Sequence, residues 1–414
     1  MSLGDVSTIT CPFCGLACDD LPRSPAGVES RGCAKASQGF ARGLTAVDHR
    51  VRGIESQLEA AAAAAASILR KARLPLITGL GADLAGIRAL IALAEKAGAA
   101  IDRWQSSAQQ ANLEVIRDSG AFLGTFSEIA NRAEAILLVG RAPGEAYPRL
   151  GERLFRNRAP LYRTNPPWVT FLGPDAGAFA DLSLAEHLAC QSGGFVEALG
   201  ALSGLLLGRK LNAKHAAGIP IEALAALSNR LKAAHHSAIL WDAAHFPAAE
   251  REIAVRILLH ILRTLNRTTR SVGLPLGGSD NALGVSQALL WQTGWPSRIC
   301  FSRGVPEHDP WLYDAERLVG DGEADALVWT AVISPAPPPA TSLPTIAIVA
   351  ADTAIGGTPD VVIRAGVPAL DHGGAIVRAD NVVALPISAT RSSELPTVAE
   401  AVREILTRLG EDAP

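Results

Sequence analysis

The sequence contains no apolar run long enough to cross a bilayer. Its most apolar stretch, Leu58 to Leu69, is an alanine tract interrupted by Glu59 and Ser67, well short of the roughly 20 residues a spanning helix needs. An excess of either charge is missing too. The formal net charge of 414 residues is -3, and no basic stretch is interleaved with aromatics, so neither nucleic acid nor a membrane is an expected partner. Familiar catalytic signatures are also lacking: there is no P-loop, no HExxH pair and no serine elbow with its histidine and acid. Met1 to Thr10 is polar, with no basic region and no long apolar region, which leads us to expect a cytoplasmic protein. What remains is a globular composition, 48% hydrophobic and 19% charged, in a chain long enough for two or three domains and a large core.

Cysteine is sparse and unevenly placed. Four of the six cysteines, Cys11, Cys14, Cys18 and Cys33, follow the spacing C-x2-C-x3-C-x14-C. Three thiols within eight residues converge only if the backbone folds tightly round them, and Gly15 is expected to permit this through a positive φ. In a reducing compartment such a cluster reads as a metal site and not as a disulfide frame. Four thiolates suit tetrahedral zinc or a [4Fe-4S] cluster. Simple apolar packing is the alternative; clustering argues against it here, whereas the isolated Cys190 and Cys300 fit it. Residues 1 to about 50 lack long apolar periodicity and read as a small, loop-rich unit that a metal would fold.

Further along, strands and helices alternate. Glu55 to Lys71 reads as a helix with Arg70 and Lys71 in its last turn. Leu74 to Gly79 reads as a buried strand, Gly79-x-Gly81 as a tight turn, Asp83 as an N-cap, and Leu84 to Ala97 as a helix stopped by Gly98. The two glycines have the form of a phosphate cradle but lack the third glycine of a dinucleotide fingerprint, so an ordinary strand-to-helix turn is expected. Strands are expected at Ala99 to Trp104, Ala133 to Gly140, Leu161 to Asn165, Ala178 to Leu184, Ser237 to Trp241, Arg270 to Leu276, Ala324 to Val332 and Thr345 to Ala350. Helices are expected at Ile221 to Ala234, Ala248 to Asn266 and Val398 to Leu409. That alternation points to parallel, doubly wound α/β layers. His235, His236, His245 and His260 have no ligand spacing and are expected on the surface or in the core. Asp371-His372-Gly373-Gly374 reads as a loop whose glycines allow close backbone approach.

The run TCPFCGLACDD from Thr10 to Asp20, with Cys33 after it, resembles the N-terminus of the B subunit of formylmethanofuran dehydrogenase, a member of the molybdopterin/tungstopterin oxidoreductases. Ala135 to Arg149 (AILLVGRAPGEAYPR) and Asp280 to Arg303, with Trp291-Gln292-Thr293-Gly294 and Phe301-Ser302-Arg303-Gly304 at their most specific, extend the resemblance over most of the chain. It implies an α/β fold: a small metal-binding N-terminal unit plus two αβα doubly wound domains, one inserted in the other, without the C-terminal β-barrel. The implied divisions are residues 1–50, a discontinuous domain of 51–133 and 320–414, and an inserted domain of 134–319.

In that family a cysteine or selenocysteine binds the tungsten or molybdenum. The matching stretch, Ile101 to Gly120, has no cysteine; Ser106, Ser107 and Ala108 stand there, and Gln109 and Gln110 follow where a histidine is expected. Thiolate is the soft, strongly donating ligand such chemistry needs. In this respect the chain is similar to the B subunit of the formyltransferase/hydrolase complex of methylotrophic bacteria. The resemblance implies a non-redox scaffold, with no catalytic residues of its own, in a complex that converts formyl-tetrahydromethanopterin to formate. Catalysis would reside in an amidohydrolase-like A subunit and a formyltransferase D subunit, and a C subunit would complete the assembly. No tungstopterin or molybdopterin is expected. Cys11, Cys14, Cys18 and Cys33 would hold zinc or a [4Fe-4S] cluster. The alternative is a redox-active tungsten or molybdenum protein using serine, or no protein ligand, at its metal.

Overall fold

The computed structural model describes residues 7–140, 146–156, 161–162, 165–175, 185–357 and 359–410. The chain divides into two compact units: Met1–Ser106 with Gly278–Ala379 and Val383–Pro414, and Ser107–Gly277 with Asp380–Val382.

The first unit is built on a nine-stranded sheet. Its order is Glu307–His308, Ile299–Cys300, Ala100–Ile101, Pro75–Gly81, Ala326–Ala331, Thr345–Ala350, Val361–Ala365, His49–Val51, Ile54–Ser56. The five strands from Ala100–Ile101 to Val361–Ala365 run parallel. Numbered along the chain, those five lie in the order 2-1-3-4-5, a doubly wound arrangement. Antiparallel strands extend both sides. One extension is the hairpin His49–Ser56, whose central residues Arg52 and Gly53 both have positive φ, as a type I′ turn requires. The helices Leu58–Lys71, Leu84–Ala97 and Val398–Gly410 pack together. Leu84–Ala97 matches the sequence expectation at both ends: Asp83 accepts from the amides of Ala85 and Gly86, and Gly98 closes the helix in the left-handed conformation.

A separate three-stranded antiparallel sheet, Ser7–Ile9, Leu21–Ser24 and Gly27–Val28, carries the cysteine-bearing loop between its first two strands. It belongs to the first compact unit.

The second unit holds a five-stranded parallel sheet, ordered Ala185–Ala189, Trp168–Gly173, Ala135–Val139, His236–Asp242, Arg270–Leu276. In chain order this is 3-2-1-4-5, the arrangement of a doubly wound half. The helices Phe195–Leu206, Ile221–Ala233 and Arg251–Leu265 bury Phe195, Leu199, Leu227, Leu258 and Leu262 in one core with Trp241. The strand expected at Ala178 to Leu184 lies outside the described residues, as do residues 163 and 164 of the one expected at Leu161 to Asn165.

The chain passes between the compact units at 106/107 and 277/278, and briefly at Asp380–Val382, where the sequence reading expects domain borders at 133/134 and 319/320. Both displacements have a physical cause. Helix Ser107–Ser119 buries Val115 in the second unit's core. Downstream, Ile299–Cys300 pairs with Ala100–Ile101 and so joins the first unit's sheet.

Gly79 and Gly81 do not form a turn; they end the strand Pro75–Gly81. Gly79 has φ 79°, and a Cβ there would lie 2.5 Å from the carbonyl oxygen of Thr330 on the neighbouring strand. The ladder shifts register at this point, between Trp329 and Ala331. Gly79→Ala is therefore expected to lose about 2–4 kcal/mol of stability, from left-handed strain plus a clash with backbone that has no freedom to rotate away. Denaturant unfolding checks this; a midpoint within experimental error of wild type would contradict it.

Candidate metal centre and a buried serine cluster

Cys11, Cys14 and Cys18 lie in the loop between Ser7–Ile9 and Leu21–Ser24, and Cys33 immediately precedes helix Ala34–Phe40. The loop is tied by its own backbone: the Cys11 amide donates to the Cys18 carbonyl at 2.8 Å and the Ala17 amide to the Cys14 carbonyl at 3.1 Å. The left-handed residue is Ala17, φ 44°, where Gly15 was expected. The loop is also anchored from outside, since the Ala379 amide donates to the Gly15 carbonyl at 2.8 Å. Ala17 packs with Ala369, Ile376 and Ile387, and Phe13 meets Phe40 edge-on at 5.1 Å.

All four cysteines are buried. Burial pushes the Cys14 thiol up to about 11, and the charges of Cys18 and Cys33 add to the rise. Cys11 is raised further, again by burial first, with Cys14, Cys18 and Cys33 contributing. The thiols therefore share one water-excluded neighbourhood. Cys11 and Cys14 therefore keep their protons unless a cation replaces them. Among the described residues, however, no three His, Cys, Asp or Glu side chains stand at the spacing of a metal-ion site, and that includes these four. The backbone gathers the donors, but their side chains are not closed on a single ion.

The stretch where the metal-binding thiol of the dehydrogenases is expected is occupied by a polar cluster of the first unit. Ser106 is buried, and its hydroxyl donates to Asp102 Oδ2 at 2.8 Å. Arg298 donates to the same hydroxyl from Nε and Nη2, each at 3.2 Å. Arg298 also pairs with Asp314 and donates to the Pro310 carbonyl. The Ala315 amide adds a bond to Asp102 Oδ2 at 3.2 Å. Asp102 has no exposure at all, and its Oδ1 has no partner among the described residues. Burial raises its carboxyl to about 6, against the opposing pull of Arg298, Ser106 and the Ala315 amide. Ser106 is thus fixed as a donor to one side chain and an acceptor from another. Ser107 begins helix Ser107–Ser119, and Ala108 packs against the second unit's core. Gln110 donates to Glu114 one turn on, at 2.5 Å.

The remaining candidates serve local structure. The helix N-terminus after Gly81 is already capped by the Asp83 carboxylate, which uses the amides a phosphate would need. A Cβ at Gly374 would lie 2.5 Å from that carboxylate, so the Asp371–Gly374 glycines serve an approach within the unit. Asp371 is held by Arg391 at 2.6 and 3.1 Å. Burial raises its carboxyl, but hydrogen bonds from Arg391 and the Val367 amide outweigh this and hold it below the usual range. His236 meets Glu128 at 3.1 Å, while His235 and His260 are exposed. Cys190 and Cys300 are buried, as expected of packing residues.

No protein-family model matches the chain. Over 371 residues it is 34% identical to the B subunit of the formyltransferase/hydrolase complex Fhc of Methylorubrum extorquens, covering 87% of this chain and 96% of that protein. It is 26% identical over 351 residues to the B subunit of the tungsten-containing formylmethanofuran dehydrogenase 2 of Methanocaldococcus jannaschii, covering 78% of each. Among solved structures, it superposes on a chain in the X-ray crystal structure of the formyltransferase/hydrolase complex (FhcABCD) from Methylorubrum extorquens in complex with methylofuran. The TM-score is 0.75 at 33% identity, covering 87% of this chain and 98% of that chain.

Proposed function

The chain belongs to the family of B subunits of formyltransferase/hydrolase complexes, and on that premise we propose that it is the non-redox scaffold of such a complex. Its partners are the A, C and D subunits, of which an amidohydrolase-like A subunit and a formyltransferase D subunit carry the reactions that release formate from formyl-tetrahydromethanopterin. The setting is cytoplasmic one-carbon oxidation.

The observation that carries this reading is the cluster round Ser106. The stretch 101–120 holds no cysteine, and the Ser106 hydroxyl is bound between Asp102 and Arg298. A serine so engaged would have to break buried, charge-assisted bonds before it could bind a metal, and such bonds are expensive to leave unmade. Fold alone does not carry the dehydrogenase activity. Cys11, Cys14, Cys18 and Cys33 are the ligands of a structural zinc or [4Fe-4S] cluster in this scheme; the metal would pin the first sheet to the rest of the unit. Zinc brings four-sulfur coordination without redox change, and a cluster of four irons spans a wider thiol shell.

Three of the exposed apolar side chains, Trp291, Trp295 and Trp311, fall within one short stretch. Tryptophan is enriched at protein–protein interfaces, and this stretch supports a role in assembly. Elemental analysis of the complex purified from its native host tests the proposal. Tungsten and molybdenum are expected at background level, with no dye-linked formate oxidation. One tungsten or molybdenum atom per chain would overturn it and favour the redox-active alternative.

A further inference from the structure

The first unit contains a cavity of about 410 Å³ whose lining includes neither the four clustered cysteines nor Ser106. It is lined by Arg50 and Gly53 of the edge hairpin, Val362 and Arg364 of the strand Val361–Ala365, and Asp352 and Thr353 of the loop after Thr345–Ala350. Cavities of this size, on the order of 300–1,000 Å³, hold small molecules.

Its polar groups are not balanced from within. Arg364 is only 7% exposed and Thr353 only 3%, yet Arg364 Nε and Thr353 Oγ1 have no hydrogen-bond partner among the described residues. Arg364 is anchored at one corner, where Nη1 donates to the carbonyls of Ala350 and Thr353, both at 2.9 Å. Arg50 lies close enough for its charge to oppose that of Arg364. The acids within reach do not cancel the pair. Asp352 is taken up by Arg42, whose Nε and Nη2 each donate at 2.7 Å, and Asp48 is exposed. His49 accepts from the Arg364 amide at 3.1 Å, and burial lowers its pKa towards the neutral form. Among the described residues, the buried Arg364 and the exposed Arg50 therefore share a cavity with no acid committed to either, beside a buried hydroxyl with no partner. Buried charges and donors in that state are costly unless something completes them.

We propose that this cavity binds a small ligand through an oxyanion head, phosphate or carboxylate, held between Arg50 and Arg364 with the Thr353 hydroxyl as a further donor. Guanidinium forks match both kinds of head, and such charge-assisted bonds are the strong ones. The site stands independently of the scaffold role.

Calorimetric titration of the full chain in its native complex tests this, with inorganic phosphate in one arm and glutarate in the other. At least one arm is expected to show a saturable site at one per chain, and the arm that binds identifies the head. Arg50→Met, at an exposed position where folding is safe, is expected to weaken that binding by about tenfold. Arg303→Met, which removes an exposed arginine outside the cavity, is expected to leave it unchanged. Saturable binding in neither arm, undiminished affinity in Arg50→Met, or an equal loss in Arg303→Met would overturn the proposal.

Discussion

Arg298→Met is expected to lower the stability of the folded chain by about 3–5 kcal/mol at neutral pH, the range seen when one partner is taken from a buried ion pair. Arg298 is itself buried and joins four groups: Ser106, Asp102, Asp314 and the Pro310 carbonyl. Methionine has comparable bulk, so the loss would come from the polar atoms and not from a cavity. Lysine would restore the charge without the fork, and a partial rescue is expected. Asp102 gives the same cluster a pH signature. Its folded carboxyl titrates near 6, against 3.8 for the free group. Between those values the native chain holds a proton that the unfolded chain releases. This contribution therefore favours the fold in acid and is lost as pH rises through 6, by about 3 kcal/mol over the window. Denaturant midpoints across that window should carry the slope in wild type and lose it in Asp102→Asn. An identical slope in both would show that Asp102 ionises normally, and an Arg298→Met midpoint close to wild type would show that the cluster is not what holds this part of the unit.

The second large effect is expected at the thiols. Serine at Cys14 is expected to reduce bound metal from stoichiometric to background in the purified complex, and to make the segment from Ser7 to Phe40 readily cleaved by protease. The reason is that this segment has little core apart from Ile9, Phe13, Leu16, Ala17, Leu21 and Ala36, while binding to a four-sulfur site contributes folding energy on the order of 10–16 kcal/mol for zinc. Visible absorbance distinguishes the occupants: a four-iron cluster is coloured and zinc is not. Serine at Cys190, buried far along the chain, is the control and should leave metal content unchanged. Unaltered metal in Cys14→Ser, or no metal in wild type, would remove these residues from the list of ligands.

Local signals explain which parts of the fold were legible. Asp83 and Gly98 delimit their helix because capping is decided within a few residues. Arg270–Leu276 and Thr345–Ala350 are short apolar runs bounded by polar residues, and both fall where the sequence places them. The absence of a thiol from 101–120 was equally plain. What replaced it was not, because the partner of Ser106 is 192 residues away and only the fold brings Arg298 to it. The division into compact units was not legible for a related reason: membership of a sheet depends on pairing such as Ile299 with Ile101, which no local pattern reveals. Gly15 was given the left-handed turn on residue type alone, but Ala17 takes it, in a loop closed by the bonds from its own amide to Cys14 and from the Cys11 amide to Cys18. For the cavity a signal was available and unread. Arg364 interrupts an otherwise apolar run, Val361 to Ala365, and an arginine inside a buried strand needs a reason.

The hairpin His49–Ser56 has a consequence for the chain before it meets its partners. It forms the last two strands of the nine-stranded sheet, where free backbone groups would otherwise invite a neighbouring molecule to add a strand. Arg50, Arg52 and Glu55 place charge along that rim, and the tight left-handed reversal at Arg52-Gly53 keeps it short. Short, charged rims of this kind discourage a neighbouring chain from adding a strand.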